Sequence, residues 1–394
     1  MKPFKIMDNL YYVGVLDPDR KVFDVIMPLD RGTTYNSYLI QAEKVAIVET
    51  VTVTPAAQEE FLSNVRALVN PKDIGYVVLN HLEPDHSGAL EILLAQAPQA
   101  RVVVSRSGEH FVKNLLNRDV QPLRMGDGDS LDLGDKTLRF ITAPFVHWPD
   151  TMLTYLVEDK VLFPCDFLGC HFCDPRLYND LVEDFRHYFR YYFDVIMRPY
   201  KEYSFKALEK LEGLDIALIA PSHGPILRTN PRQYIERYRE WARPSEPSAR
   251  KKALVLYASA YGNTRRMAEA VARGLGDGSA EVEIFDIGQG RPKERLDKIE
   301  AADGLVIGSP TFVGDALKSI WDLLSSFVTI KVKSKVGAAF GSYGWSGEGV
   351  PLVEQRLKDL KLKVPEPGIR VVLAPTEEDL TNCREFGRRL AQDL

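Results

Sequence analysis

The run Asn80-His81-Leu82-Glu83-Pro84-Asp85-His86 determines how the rest of the chain is interpreted. Within six residues it places two imidazoles and two carboxylates, spaced H-x-E-x-D-H, directly after the apolar stretch Tyr76-Val77-Val78-Leu79. An irregular loop that follows a strand and contains Pro84 can turn several side chains to one side. Such a segment can hold two metal ions close together. Glu83 adds an oxygen ligand, which shifts the expected metal from zinc towards iron or manganese.

Length and composition restrict the class of protein. The 394 residues, 45% hydrophobic and 27% charged, predict two or three globular domains. The net charge of -5 predicts no nucleic-acid partner. No segment approaches the roughly 18 apolar residues of a membrane span, and residues 1–9 lack the hydrophobic region of an export signal. With four cysteines, the chain is expected to be cytoplasmic.

The stretch 242–252 divides the chain. Its sequence, Ala-Arg-Pro-Ser-Glu-Pro-Ser-Ala-Arg-Lys-Lys, has two prolines and no apolar periodicity, which is typical of a linker. We therefore expect domains at residues 1–248 and 249–394. Short apolar runs in the first domain predict strands at 45–48, 76–79, 101–104, 138–141, 153–157 and 215–220, and periodic patterns predict helices at 55–69, 87–97 and 181–197.

The second domain alternates apolar runs with helical patterns. Five strands are expected, at 253–257, 282–285, 304–307, 336–340 and 371–373. Strands that alternate with helices in this way predict a doubly wound parallel sheet.

Three further candidate ligands each follow an apolar strand of the first domain, as His81 does. His147 follows 138–141, Asp166 follows 161–163 and His223 follows 216–220. Ligands delivered from several strand ends converge on one edge of a sheet. A single histidine of this kind is more often a solvated loop residue or a strand cap, but a set this dense has few accidental explanations.

This set resembles the metallo-β-lactamase fold and, more narrowly, its flavodiiron branch, in which a glutamate replaces the second histidine of the hydrolase H-x-H-x-D-H pattern. The resemblance covers the first domain and implies an αββα sandwich. It implies that His81, Glu83 and His147 bind one iron, that Asp85, His86 and His223 bind the other, and that Asp166 bridges them. Four nitrogens and three carboxylates suit two ions that cycle between +2 and +3. The residue types alone also accept Zn²⁺.

The first strand of the second domain runs into a loop that opens a helix. Hydroxyls, a permissive glycine and free helix N–H groups suit a phosphate monoester, and the loop has no lysine of a nucleotide triphosphate P-loop. A plain turn between strand and helix is the alternative. The loop residues are Ser259, Ala260, Tyr261, Gly262, Asn263 and Thr264.

Two later loops strengthen this interpretation, because both combine glycines with aromatic residues that can cover a flat ring. All three loops resemble those of flavodoxin, in which the first holds the FMN phosphate and the others flank the isoalloxazine. This resemblance covers residues 253–394 and implies a flavodoxin-like FMN domain. The candidate residues are Ser309, Pro310, Thr311, Phe312, Val313 and Gly314 in one loop, and Ser342, Tyr343, Gly344, Trp345, Gly347 and Glu348 in the other.

A flavin combined with a diiron centre predicts multi-electron reduction. The flavodiiron resemblance implies reduction of O₂ to water, of NO to N₂O, or of both, with electrons passing from rubredoxin or a flavin- or deazaflavin-dependent reductase through FMN to iron. Nothing in the sequence brings the two cofactors together within one chain. The resemblance implies a head-to-tail homodimer, or a dimer of dimers, in which FMN of one subunit faces the irons of the other.

Two other functions remain open from the residues. One is a metallohydrolase that cleaves a thioester, lactone or phosphodiester through a metal-bound hydroxide; Glu83 and the flavin loops count against it. The other is a flavin electron carrier or gas sensor whose metal domain only binds, which the complete ligand set disfavours.

Four features have weaker signals. Cys170 and Cys173 form a C-x-x-C pair without a second pair or a thioredoxin context, so a functional pair is not favoured. His171 is either a neighbour of the metal ligands or a packing residue. The aromatic run 185–193 predicts a packed helix, one tyrosine of which could line the gas pocket. His110 is expected at the surface or core edge.

Overall fold

The chain folds into two compact units, Met1–Pro244 and Ser245–Leu394. The structure is a computed structural model, and it describes residues 1–25, 27–244, 250–289 and 296–394. Residues 245–249 of the expected linker, and with them the expected boundary between 248 and 249, lie outside the described residues. Across the described ranges, no helix combines the length and apolar character needed to cross a membrane.

The first unit is built from short strands and helices. Its strands are β1 (Phe4–Met7), β2 (Leu10–Tyr12), β3 (Val15–Asp17), β4 (Val22–Phe23), β5 (Met27–Pro28), β6 (Thr33–Tyr35), β7 (Tyr38–Ile40), β8 (Val45–Val48), β9 (Ile74–Val78), β10 (Arg101–Ser105), β11 (Leu123–Met125), β12 (Ser130–Asp132), β13 (Thr137–Thr142), β14 (Met152–Leu156), β15 (Val161–Phe163) and β16 (Leu218–Ile219). Its helices are α1 (Pro55–Arg66), α2 (Pro84–Ser87), α3 (Leu90–Gln96), α4 (Gly108–Leu116), α5 (Arg186–Tyr192), α6 (Lys201–Lys210) and α7 (Arg232–Ala242).

Two sheets form the centre of this unit. The first has the order β1-β2-β7-β8-β9-β10-β11, with β8 to β11 parallel, and the second has the order β12-β13-β14-β15-β16. Tyr38 and Val78 of the first sheet share a buried cluster with Phe140 and Phe163 of the second. A second buried cluster joins the outer faces to helices that include α1, α3, α5 and α7. The unit is therefore the αββα sandwich of a lactamase-like domain.

The second unit alternates strands and helices. The strands are β17 (Lys252–Tyr257), β18 (Glu281–Asp286), β19 (Gly304–Gly308), β20 (Thr311–Phe312), β21 (Asp315–Ala316), β22 (Val336–Tyr343) and β23 (Ile369–Val372), and the helices are α8 (Asn263–Asp277), α9 (Leu296–Ala301), α10 (Lys318–Ser326), α11 (Gly349–Asp359) and α12 (Glu377–Asp393). Five of the strands form a parallel sheet with the order β18-β17-β19-β22-β23. Successive residues of β17 alternate between two cores, since Leu254 and Leu256 belong to one buried cluster and Val255 to another.

The expected flavodoxin-like sheet is confirmed, and where an expected element differs from the structure the difference concerns its ends. The helix expected at 181–197 begins at Arg186 and continues as a π-helical turn, Phe193–Met197. The helix expected at 87–97 starts at Leu90, because the preceding turn, Pro84–Ser87, is a separate short helix that begins at Pro84. This short helix carries Asp85 and His86 of the candidate metal site.

Candidate functional site

The candidate ligands of the first unit come from four connections at one edge of the two sheets. The loop after β9 and helix α2 carry the H-x-E-x-D-H residues, and His147 lies between β13 and β14. Asp166 follows β15, and His223 follows β16. The structure brings all seven sequence-predicted residues together. Among the described residues, His81, Glu83, His147 and Asp166 form one group of close ligand atoms, and Asp85, His86 and His223 form another.

The carboxylate of Asp166 lies between two sets of side chains. Its Oδ2 atom is 2.9 Å from Nε2 of His81 and 3.2 Å from Nε2 of His147. Its Oδ1 atom is 3.3 Å from Nε2 of His86 and 3.2 Å from Nε2 of His223. Each oxygen therefore faces a different pair of histidines, as a carboxylate that bridges two metal ions must.

Two further carboxylates each lie beside one of these two pairs of histidines. Oε2 of Glu83 lies 3.4 Å from Nε2 of His147. Oδ2 of Asp85 lies 3.0 Å from Nε2 of His223 and 3.4 Å from Nε2 of His86. Each half of the site thus offers two imidazoles and one carboxylate of its own, plus one oxygen of Asp166.

The burial of this set indicates that it holds metal. Asp166 is 2% exposed and His81 1% exposed, yet several ligand atoms have no hydrogen-bond partner among the described residues. An unpaired buried polar atom costs free energy, and a bound cation removes that cost. These atoms include Nδ1 of His81 and Oδ1 of Asp85. The mixed nitrogen and oxygen donors fit the two non-haem irons expected from the sequence.

Electrostatics couples the carboxylates to the histidines. Burial alone would raise the pKa of Asp166, but the charge of His86 and hydrogen bonds from neighbouring imidazoles hold this pKa well below its usual value. Burial would lower the pKa of His147, but hydrogen bonds to Asp166 and Glu83 raise it to about 10. Burial and the charge of His86 lower the pKa of His81 to about 4. Without metal, the ring of His147 is therefore protonated at neutral pH and donates hydrogen bonds to Asp166 and Glu83.

Several supporting residues escaped the sequence analysis. Nδ1 of His223 donates a hydrogen bond to the carbonyl oxygen of Thr34, at 2.6 Å. The buried carboxylates of Glu49 and Asp150 accept hydrogen bonds from the backbone N–H groups of Asn80 and Leu82, at 3.0 and 2.9 Å. Glu49 directly follows the fully buried strand β8, so its position just past an apolar strand was an available signal.

His171 lies beside the site, as one of its two interpretations held. Its ring centroid is 4.9 Å from that of His223 and 4.9 Å from that of Tyr192, and its Nδ1 is 2.8 Å from the hydroxyl of Thr33. Tyr192, from the aromatic run, is fully buried, and burial together with the charge of Asp166 raises its pKa. This tyrosine packs against His171 and is close enough to Asp166 to be influenced by its charge.

The weaker cysteine and histidine signals have structural explanations. Cys170 and Cys173 are buried and free. Burial raises the pKa of Cys173 to about 11 and raises that of Cys170 further, so both thiols are protonated and unreactive at neutral pH. His110 is exposed on α4.

The three candidate flavin loops follow β17, β19 and β22, which are adjacent in the sheet. In the first loop, the Ser259 hydroxyl oxygen accepts hydrogen bonds from the N–H groups of Gly262 and Arg265, at 3.1 and 3.3 Å. Gly262 has a φ of +85°, which favours glycine, and α8 begins at the next residue. The loop thus presents hydroxyls and helix N–H groups, which suit a phosphate.

The loops also contact one another. The hydroxyls of Thr264 and Ser342 are 3.0 Å apart, and the N–H of Gly349 donates to the hydroxyl of Thr311 at 3.2 Å. Three large side chains of the loops remain open to solvent: Tyr261 is 94%, Phe312 67% and Trp345 95% exposed. Exposed aromatic residues around a polar phosphate loop fit a bound flavin, which would cover them.

Comparison with known proteins gives relatives of both units. Residues 33–224 match the family model described as ODP family beta lactamase, and residues 255–387 match that of flavodoxin. The type A flavoprotein of Rhodobacter capsulatus is 46% identical over 400 residues, covering all of this chain and 92% of the relative. A nitric oxide reductase of Moorella thermoacetica is 35% identical, covering 99% of this chain and 98% of that protein.

A solved structure shares the fold of the whole chain. Rubredoxin oxygen:oxidoreductase from the anaerobe Desulfovibrio gigas is similar with a TM-score of 0.72 and 27% identity, over 99% of this chain and 98% of that one. Both units therefore occur together in this relative.

Proposed function

The chain belongs to the flavodiiron family of type A flavoproteins, and on this premise we propose that it reduces O₂ to water and/or NO to N₂O at a non-haem diiron centre. The observation that carries the proposal is the position of Asp166, whose two oxygens face two separate pairs of histidines. Such an arrangement serves two metal ions rather than one. Electrons reach the irons through FMN.

These distances support the metal assignment. His81, Glu83 and His147 would hold one iron, Asp85, His86 and His223 would hold the other, and Asp166 would offer one oxygen to each. Two irons and one FMN together supply the four electrons that reduce O₂ to two waters, or the two that convert two NO to N₂O and water. The protein residues hold the metals and exclude bulk water, since His81, His86, Asp166 and His223 are almost fully buried.

FMN binding is assigned to the three loops of the second unit. The loop Ser259–Thr264 and the start of α8 hold the phosphate, since they offer hydroxyls and free N–H groups. Tyr261, Phe312 and Trp345, which are exposed, pack against the flavin.

The partners belong to the same proposal. We infer that a rubredoxin-type donor, or a flavin- or deazaflavin-dependent reductase, supplies electrons to FMN. We also infer a head-to-tail homodimer, in which FMN of one subunit faces the irons of the other, or a dimer of such dimers. A cytoplasmic location is supported by the four free, buried cysteines.

The test begins with the metal and flavin content of the purified protein. About two irons and about one FMN per chain are expected. The protein is then reduced without oxygen and given a pulse of O₂ or NO at an electrode, and the ratio of consumption rates assigns the substrate. Failure to consume either gas, even after reconstitution with iron and FMN, would contradict the proposal. Asp166→Ala should abolish consumption, which also separates an enzyme from a gas sensor or electron carrier.

The hydrolase alternative is not favoured. Relatives that match the whole chain include a flavoprotein, a nitric oxide reductase and an oxygen oxidoreductase. Glu83 lies in the metal cluster, at the position that is histidine in the hydrolase pattern. Ester or thioester cleavage by the iron-loaded protein without reductant would revive this alternative.

A further inference from the structure

Glu49 is a buried carboxylate in an unusual position. It is 1% exposed and has a φ of +62°, a left-handed conformation that is uncommon for residues other than glycine. Its backbone N–H donates to the carbonyl oxygen of Val78, and its carbonyl oxygen accepts from the Ser37 hydroxyl. Burial and backbone strain both cost stability, so the side chain must make contacts that justify the position.

The two oxygens of Glu49 serve different partners. Oε1 accepts a hydrogen bond from the N–H of Asn80, 3.0 Å away and directly before His81. Oε2 lies 3.4 Å from Nδ1 of His86, and no other polar group among the described residues pairs with it. On the opposite side of the same ring, Nε2 of His86 is 3.3 Å from Oδ1 of Asp166. The imidazole of His86 thus lies between Glu49 and the metal cluster.

We propose that Glu49 is the positioning residue that makes His86 an iron ligand in this chain. A carboxylate that accepts from Nδ1–H leaves the lone pair of the ring on Nε2, directed at the metal. The other neighbour of Nδ1, the Cys165 thiol at 3.9 Å, is too weak an acceptor to replace it. The inference rests on the proposed function, which assigns His86 to the second iron.

The substitution Glu49→Gln tests the ring orientation with almost no change in shape. The Asn80 N–H requires an oxygen opposite it, so the amide NH₂ of the glutamine would take the place of Oε2. An NH₂ group donates to Nδ1 and favours the opposite tautomer, with hydrogen on Nε2, which cannot bind metal. Glu49→Asp keeps a carboxylate acceptor and should therefore retain part of the iron affinity that Glu49→Gln loses.

Asp150→Asn is the matched control. Asp150 is also a carboxylate that is 1% exposed, and its Oδ2 accepts from the N–H of Leu82 in the same loop. Among the described residues, no imidazole nitrogen forms a hydrogen bond or ion pair with it. Asp150→Asn therefore removes a buried charge that supports the same loop without changing a hydrogen bond to the ring of His86.

The measurement is iron binding to the full chain, followed by Mössbauer spectroscopy of the protein loaded with ⁵⁷Fe. Glu49→Gln is expected to lower the affinity for one of the two irons by about 10- to 100-fold. It should also alter one of the two iron signals in the Mössbauer spectrum. Any effect of Asp150→Asn should not fall selectively on that same iron. Wild-type affinity and spectrum in Glu49→Gln would overturn the proposal, as would an equal loss of the same iron in Asp150→Asn.

Two further measurements guard against a variant that does not fold. If Glu49 acts through His86, adding Glu49→Gln to His86→Ala should not weaken iron binding further, and an additive loss would contradict the inference. In zinc-loaded wild-type protein labelled with ¹⁵N-histidine, the signal that His86→Ala removes should carry hydrogen on Nδ1; hydrogen on Nε2 would overturn the inference. Wild-type protein that binds iron and consumes gas retains the proposed function whatever Glu49 does.

Discussion

Nδ1 of His223 lies 2.6 Å from the carbonyl oxygen of Thr34. A carbonyl oxygen only accepts, so the hydrogen of the neutral ring is on Nδ1 and the lone pair is on Nε2. Nε2 faces Asp85 and Asp166, at 3.0 and 3.2 Å. The backbone of the β6 strand thus selects the tautomer of His223 that can bind metal.

We therefore expect His223→Ala to bind one iron weakly and to retain the other. Removal of a direct ligand should lower the affinity for that iron by more than the roughly 10- to 100-fold that is typical when a supporting residue is removed. Gas consumption should fall to background, since reduction requires both irons. Iron content and electrode traces measure both effects. His187→Ala, at an exposed histidine on α5, should change neither, and two tightly held irons in His223→Ala would contradict the assignment.

Metal uptake should release protons. Burial would lower the pKa values of His147 and His223, but hydrogen bonds to Asp166 and to Glu83 or Asp85 raise them to about 10 and about 9. Both rings are therefore protonated at pH 7 in the metal-free protein, and metal must displace those protons. Below pH 9 the affinity should rise with pH, by up to about tenfold per pH unit for each displaced proton.

Zinc serves as a redox-stable probe for this experiment. Titration calorimetry in two buffers of different ionisation enthalpy counts the released protons at pH 7. His81, whose pKa burial lowers to about 4, contributes none of them. An affinity that does not change between pH 6 and pH 8 would contradict this protonation scheme.

The sequence predicts some parts of the fold better than others. Parallel strands that are covered on both faces consist of continuous apolar residues, as in β8 and β19, and such runs are visible without a structure. The strands β3 to β6 have two or three residues each, which is too short to show an alternating or continuous apolar pattern. Their pairing depends on neighbours that a local pattern does not contain, so they were not predicted.

Some residues of the candidate site could likewise be predicted from the sequence and others could not. The candidate ligands were predictable because a dense motif and three strand ends carry metal-binding side chains. The roles of Glu49 and Asp150 were not, since their side chains accept from backbone N–H groups that lie 31 and 68 residues away along the chain. A single buried carboxylate has no local spacing that reveals its partner. Only the packed structure shows that both side chains support the ligand loop.

Ser259→Ala should weaken FMN binding through the phosphate. The Ser259 oxygen already accepts from two N–H groups, so its own O–H remains to donate to a phosphate oxygen. A hydrogen bond to a charged group is worth about 1.5–3 kcal/mol, which corresponds to about a 10- to 100-fold higher Kd. Fluorescence titration of the flavin-free protein measures this change. Riboflavin, which has no phosphate, should bind both proteins equally; an equal loss for both flavins would contradict the phosphate assignment.

The proposed head-to-tail dimer predicts complementation between two inactive chains. Asp166→Ala removes the bridging carboxylate and keeps the FMN loops. Gly262→Asp keeps the iron ligands and places a negative charge in the phosphate loop. A side chain at Gly262 meets no atom within 4 Å, and aspartate tolerates a φ of +85° better than most residues, so this variant should fold.

Heterodimers of these two variants, isolated with two affinity tags, contain one intact pair of FMN and irons across the interface. Each variant alone should be inactive, and the heterodimer should reach about half of the wild-type rate, because one of two sites works. The matched control pairs wild type with the double variant Asp166→Ala/Gly262→Asp. If electrons pass from FMN of one subunit to the irons of the other, that pair should be inactive, since each intact cofactor site faces a damaged one. Transfer within one chain predicts the reverse: an inactive first heterodimer and about half of the wild-type rate in the control.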